Sequence, residues 1–241
     1  MREVPVETPY GPPSEPVVVG QVAGRQVAFL PRHGRDHRLA PHRIPYRANL
    51  WALHALGVRQ VLAPCAVGSL RAELGPGALV VPDQLVDRTS GRSQTYDDGS
   101  RPVRHVSFAD PYCPVGRRTV LDAARRGEVA MTDGATMVVI EGPRFSTRAE
   151  SRWYAAAGWS LVNMTGHPEA VLARELGICY TPVALVTDHD AGVDGSGGVS
   201  QEEVFRVFAE NVGRLRELLL LAVPALPAEP ACGCAGAAGD G

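Results

Sequence analysis

Apolar residues in this chain come in short runs separated by polar turns, and the runs alternate between two periods. Residues 17–19 and 26–30 read as short strands that a turn at Gly24 can join. Residues 47–56 carry helical spacing, and residues 60–63 form a buried strand opening into the small-residue stretch Ala66-Val67-Gly68-Ser69. Another apolar strand follows at 79–82. Helix and strand then alternate over 117–126, 136–140, 148–157, 161–163, 168–176 and 178–187. Alternation of this kind predicts an α/β fold, a single domain with a mixed, largely parallel sheet flanked by helices.

The intervals carry their own information. Residues 1–16 are rich in Pro and polar groups and read as irregular, and the polar stretch 87–110 reads as a long loop of the kind that is usually functional. Ser200-Gln201-Glu202-Glu203 has the capping-box pattern, opening a long helix to about Val223. Beyond it, 224–241 is Ala, Gly and Pro with two cysteines, too poor in large apolar groups to pack. The expected organisation is therefore one domain over 1–223 and a disordered tail over 224–241.

Composition narrows the function. The chain has 241 residues and a net charge of -2, with arginines scattered along it, so nothing marks a partner that is nucleic acid or an acidic membrane; a small molecule is the expected partner. The five cysteines (Cys65, Cys113, Cys179, Cys232, Cys234) are odd in number and irregularly spaced, which suits a reducing, cytoplasmic setting better than a disulfide framework. The start, Met1-Arg2-Glu3-Val4-Pro5, has no apolar signal core, and the longest apolar run, 218–223, is far too short to span a bilayer. Cys232-x-Cys234 lacks two further ligands at zinc spacing, so no metal is expected.

Candidate chemistry gathers where strands end. The strand 181–187 runs into Asp188-His189-Asp190, two carboxylates at the carboxyl edge of a buried parallel strand, where open α/β sheets bind ligands. Acids at i and i+2 of an extended segment point the same way, so one pocket receives both, with His189 on the opposite face. Arg32-His33-Gly34-Arg35-Asp36-His37 offers a planar guanidinium fork for phosphate oxygens, or a solvated basic turn. Ala63-Pro64-Cys65-Ala66-Val67-Gly68-Ser69 lets backbone amides approach an anion or a flat ring, and Cys65 has no evident activating partner. Phe145, in Glu141-Gly142-Pro143-Arg144-Phe145-Ser146-Thr147, can stack on a base or belong to the core, while Arg144, Thr147 and Glu150 can equally form a turn and helix cap. Thr165, in Asn163-Met164-Thr165-Gly166-His167-Pro168-Glu169, sets a hydroxyl near a helix amino terminus, and His167 reads as a surface or interface residue.

In order and spacing, RHGRDH, CAVGSL, EGPRFSTRAE, NMTGHPEA and TDHD resemble the 5'-methylthioadenosine phosphorylases of the purine nucleoside phosphorylase superfamily, over about residues 9–223. The resemblance implies a homotrimer in purine and methionine salvage, in which phosphate attacks the ribosyl anomeric carbon while the purine departs, with inorganic phosphate as co-substrate and no cofactor or metal. It implies that Arg32, His33, Cys65, Ala66 and Thr165 hold phosphate, that Phe145 packs on the purine and that Met164 lies under the ribose. Asp188 and Asp190, beside His189, would face the N7 and 6-amino edge with Asp188 as general acid, and His105 would reach the 5' pocket of a neighbouring subunit. Carboxylates accept from an exocyclic amine and repel a 6-oxo group, which favours adenine-type substrates.

Three departures from the family pattern leave alternatives open. The resemblance begins after the family's amino-terminal strand and Gly-rich phosphate turn, so either the sequence lacks its true beginning or the anion site is weakened. Cys65 stands where Thr is common, and Gln201 where an apolar residue usually sits beside the 5' group; Ser146 also lies near positions that tune base and sugar choice. The alternatives are a broader purine nucleoside phosphorylase acting on adenosine or inosine, a hydrolase, or a catalytically weak nucleoside-binding homologue.

Overall fold

The structure, a computed structural model, describes residues 1–100, 102–193, 195 and 197–236. Its centre is a seven-stranded mixed sheet. The strands are β4 (Gln60–Ser69), β5 (Leu79–Val81), β6 (Gln84–Arg88), β7 (Thr132–Asp133), β8 (Thr136–Ile140), β9 (Leu161–Asn163) and β10 (Cys179–His189), in the order β6-β8-β9-β4-β10-β5-β7. β4 with β10, β6 with β8, β8 with β9 and β5 with β7 run parallel; β4 with β9 and β5 with β10 run antiparallel. A separate three-stranded antiparallel sheet holds β1 (Arg2–Val4), β2 (Val17–Val22) and β3 (Arg25–Phe29). Five α-helices complete the described chain: α1 (Tyr46–Ala55), α2 (Pro114–Arg126), α3 (Arg148–Ala156), α4 (Gly166–Glu175) and α5 (Gln201–Ala225).

β10 shows why the sheet is central. All but the last of its residues are buried, as a strand covered on both faces must be. Alternate side chains part to opposite faces: Tyr180, Ala184 and Val186 join Leu50, Leu172 and Ile178, while Val183 and Leu185 join Val120, Leu215 and Leu218. Helices α1 and α4 thus cover one face, and α2 and α5 the other. Among the described residues no helix is long and apolar enough to cross a membrane.

Four features differ from the sequence reading. Residues 2–4 were expected to be irregular, but Arg2 pairs with Val19 and Val4 with Val17; three residues are too few to display alternation. Asp87 and Arg88, assigned to the long loop, close β6 and pair with Val139 and Ile140 of β8. β4 does not open into a loop at Cys65; it stays extended to Ser69, in register with β10. Of the tail, expected to be disordered over 224–241, residues 237–241 lie outside the described residues; the described part begins as the end of α5, which runs through Pro224, and then returns to the body of the protein. Arg25 donates to the carbonyls of Leu226 and Pro227, Gln60 donates to Pro227, and Cys234 is buried. Polar tethers and small thiols hold a segment whose one large apolar side chain is the half-buried Leu226.

Candidate active site

The site is laid out along β4. β9 pairs with β4 only at Gly68 and Ser69, which leaves the carbonyls of Pro64 and Ala66 to side chains. Arg32 Nη1 donates to Pro64 O (2.7 Å) and Asn163 Nδ2 to Ala66 O (3.1 Å). At Gly68 the acids arrive from β10. Pro64, Ala66 and Gly68 therefore mark three stations over roughly 13 Å of strand, at about 3.3 Å per residue.

At the first station Arg32 is clamped by Glu169 of α4, Nε to Oε1 at 2.6 Å and Nη2 to Oε2 at 3.0 Å. Tyr180 Oη also donates to Glu169 Oε2 (2.7 Å). A guanidinium has five N–H donors, so with three engaged two remain for an incoming anion. His33 Nδ1 faces Leu39 O at 2.8 Å; a carbonyl only accepts, so that nitrogen carries the proton and Nε2 is left for a ligand. Burial, ahead of the charges of His37 and Arg32, holds the His33 pKa below its ordinary value. Cys65 is part of the ladder with Ala184, and burial pushes its thiol up to about 12, which rules it out as a thiolate nucleophile at neutral pH.

At the second station Asn163 Oδ1 accepts from the backbone N–H of Thr165 (2.8 Å) and of Gly166 (2.6 Å). This pins the turn that carries Thr165, which is buried. Met164 leans on Gly142, whose positive φ of 63° and lack of Cβ let the thioether approach; a Cβ there would meet Met164 Sδ at 2.6 Å. His167, expected at the surface or an interface, is buried within the chain, with Nε2 3.2 Å from Asp87 Oδ2.

The third station holds the two carboxylates. Asp188 is 8% exposed and Asp190 2%. A Cβ placed on Gly68 would lie 2.9 Å from Asp188 Oδ1 and 3.6 Å from Asp190 Oδ1, so both acids converge over the same bare backbone, as the i, i+2 spacing requires. The β4–β10 register shifts between Val186 and Asp188, a bulge that re-aims the strand end. Thr187 Oγ1 donates to Asp188 Oδ2 (2.8 Å), and Ser151 Oγ lies 2.6 Å from Asp190 Oδ2. Burial raises the Asp188 pKa to about 6, opposed by the Thr187 hydrogen bond and reinforced by the charges of Asp190 and Glu203. His189 turns elsewhere, its Cε1 3.9 Å from a Cβ position on Gly75.

Other candidates are placed less centrally. Phe145 is half-buried just ahead of α3, and Ser146 is buried with an Oγ that has no hydrogen-bond partner among the described residues. Arg144 is engaged by Glu150, which closes a capping box with Thr147; of the two readings for these residues, the cap is the one seen. Gln201 is exposed at the first turn of α5, and His105 is exposed on the long loop.

Four residues escaped the sequence reading as functional candidates: Glu169, Ser151, Asn163 and Arg92. Arg92 anchors the long loop, donating from Nη1 to Tyr46 Oη, Met164 O and His167 O, and from Nη2 to Glu141 O. Glu169, four residues past Thr165, carried no signal beyond that of a first-turn acid, which the helix dipole favours without a partner. Arg92 carried none beyond its place in a long loop.

The sequence profile of the Phosphorylase superfamily matches residues 2–223. The purine nucleoside phosphorylase of Streptomyces coelicolor is 64% identical, with 93% of this chain and 83% of the relative's length covered. The S-methyl-5'-thioadenosine phosphorylase of Mycolicibacterium smegmatis is 61% identical, over 93% of this chain and 84% of its own length. Among solved structures, the methylthioadenosine phosphorylase of Schistosoma mansoni in complex with adenine superposes with a TM-score of 0.90 at 38% identity, covering 95% of this chain and 87% of that one.

Proposed function

We propose, because the chain belongs to the phosphorylase superfamily, that it catalyses the phosphorolysis of 5'-methylthioadenosine or a closely related 5'-substituted adenosine to adenine and a 5-substituted ribose 1-phosphate. The observation that carries the reading is the pair of buried acids over Gly68 with the Asp188 pKa raised to about 6. Breaking the glycosidic bond leaves negative charge on the purine and positive charge on the sugar, so a carboxylic acid at N7 acts most strongly at the transition state. Asp188 is that acid. Asp190, oriented by Ser151, accepts from the 6-amino group.

The other stations take the remaining parts of the substrate in order. Arg32, His33 and Thr165, with the strand at Cys65 and Ala66, hold phosphate; Met164 lies under the ribose, and Phe145 and Ser146 border the base. Phosphate, once desolvated, serves as nucleophile and as counter-charge to the cationic sugar. No step calls for an organic cofactor. In a homotrimer His105 reaches the 5' group bound by a neighbour, opposite Gln201, whose amide widens the range of 5' substituents.

A second reading is a broader purine nucleoside phosphorylase, favoured by the name of the Streptomyces relative. Base release from methylthioadenosine, adenosine and inosine, measured with and without phosphate, separates the readings. Base release that requires phosphate is expected, with adenine released fastest from methylthioadenosine and hypoxanthine released slowest from inosine. A preference for inosine overturns the role given to the two acids, and release without phosphate makes the protein a hydrolase. Gel filtration with light scattering tests the trimer.

A further inference from the structure

Four of the five cysteines meet at one point remote from the acids. Cys113 precedes α2, Cys179 opens β10, and Cys232 and Cys234 come from the tail; their sulfurs all lie within 4.8 Å of one another. Cys232 Sγ is 3.6 Å from that of Cys113 and 3.3 Å from that of Cys179, across sequence separations of 119 and 53 residues. Three of the four are buried.

We propose that Cys113, Cys179, Cys232 and Cys234 form a structural zinc site that clamps the carboxyl-terminal tail to the amino end of β10. Four thiolates at about 2.3 Å from a zinc ion stand on a tetrahedron whose S–S edges are about 3.8 Å, which falls among the separations seen. A disulfide instead brings one sulfur to one partner at about 2.05 Å, whereas Cys232 is shared almost equally between two. An iron–sulfur cluster interposes several atoms between its thiolates and requires wider spacing. Soft, all-sulfur donors with no open position select zinc for structure over a hard cation.

The surroundings suit a thiolate cage. The Gly116 N–H donates to Cys113 Sγ at 3.4 Å from the first turn of α2, and the positive end of that helix offsets part of the negative charge of four thiolates. The Cys113 N–H donates to Tyr180 O at 2.9 Å, fixing two ligands from different elements relative to each other. The tail reaches them along a held path, through Arg25 and Gln60 to Pro227. On binding, each thiol passes its proton to solvent as its sulfur bonds the ion; nothing is oxidised or reduced.

The test is metal analysis of the full chain, purified under reducing conditions, exposed to zinc and desalted. About one zinc per chain is expected, released by a thiol-blocking mercurial and absent from the Cys232→Ser, Cys234→Ser double variant. Cobalt loading should give the intense visible bands of tetrahedral Co–thiolate, lost in that variant. Zinc below about a tenth of an equivalent, zinc undiminished in the double variant, or peptide maps showing these cysteines paired as disulfides in the freshly purified chain overturns the proposal. Should the double variant fail to fold, the zinc content and cobalt spectrum of the parent decide alone.

Discussion

The two ends of β10 are both crowded with ionisable groups and are built on opposite principles. At the carboxyl end Asp188 and Asp190 are two residues apart and converge because an extended chain sends alternate side chains the same way. At the amino end Cys179 meets thiols 53 or more positions distant. Roughly 30 Å of strand separates them, at about 3.3 Å per residue. The carboxyl end keeps an acid in a desolvated setting, which under the proposed function serves chemistry, whereas the amino end gathers thiols, which as the proposed zinc site serve cohesion. Changes at the first end should therefore alter turnover, and changes at the second only durability.

The sharpest test of that contrast is Asp188→Ala, expected to lower kcat by a hundredfold or more with little change in substrate KM. Near-parental turnover would remove the general acid. Glu169→Ala strips Arg32 of its bidentate partner; phosphate KM should rise by about tenfold, and stability in denaturant titration should fall by about 3 kcal/mol as a buried charge loses its mate. Gly68→Ala places a methyl 2.9 Å from Asp188 Oδ1 and should cost several-fold in kcat/KM, with an unchanged far-ultraviolet spectrum. The double serine variant at Cys232 and Cys234 should stay within about twofold of parental kcat while losing several degrees in Tm.

Asp188 also makes a prediction about stability whose sign opposes its effect on rate. Its folded pKa is raised from 3.8 to about 6, so between those values the folded chain holds a proton that the unfolded chain has released. That contribution is complete at low pH and is lost as pH rises through about 4 to 6, leaving the ionised acid a burden above that range. Asp188→Asn, which cannot ionise, should be more stable than the parent at pH 8 by about 1 to 3 kcal/mol, and the difference should vanish near pH 4. For activity, kcat/KM should fall as pH climbs past about 6, where free enzyme loses the proton it must donate. A variant less stable at pH 8 would mean that the carboxylate is paired rather than stranded.

How much of this was legible in the sequence depended on range. The acids, the Ser200 and Thr147 caps and the alternation of strands and helices all express contacts within a few residues, and each was readable. The Gly24 turn between β2 and β3 was readable for the same reason. The Arg32–Glu169 clamp spans 137 positions and surfaced only as two separate charges near strand ends. The extension of β4 through Cys65 and Ala66 was hidden because small residues signal a loop as readily as a strand wedged between neighbours. The tail was misread because its anchors are thiols and backbone carbonyls, which leave no hydrophobic periodicity to follow.

Arg92 bears on how the long loop can evolve. One guanidinium, almost wholly buried, ties that segment to a hydroxyl and to carbonyls contributed by three separate stretches of chain, whereas Asp97, Asp98 and Gly99 stand in solvent. A nick or a short insertion near Gly99 should accordingly be tolerated, since the anchored half stays moored. The same lesion placed beside Arg92 would unmoor the turn bearing Met164 and His167.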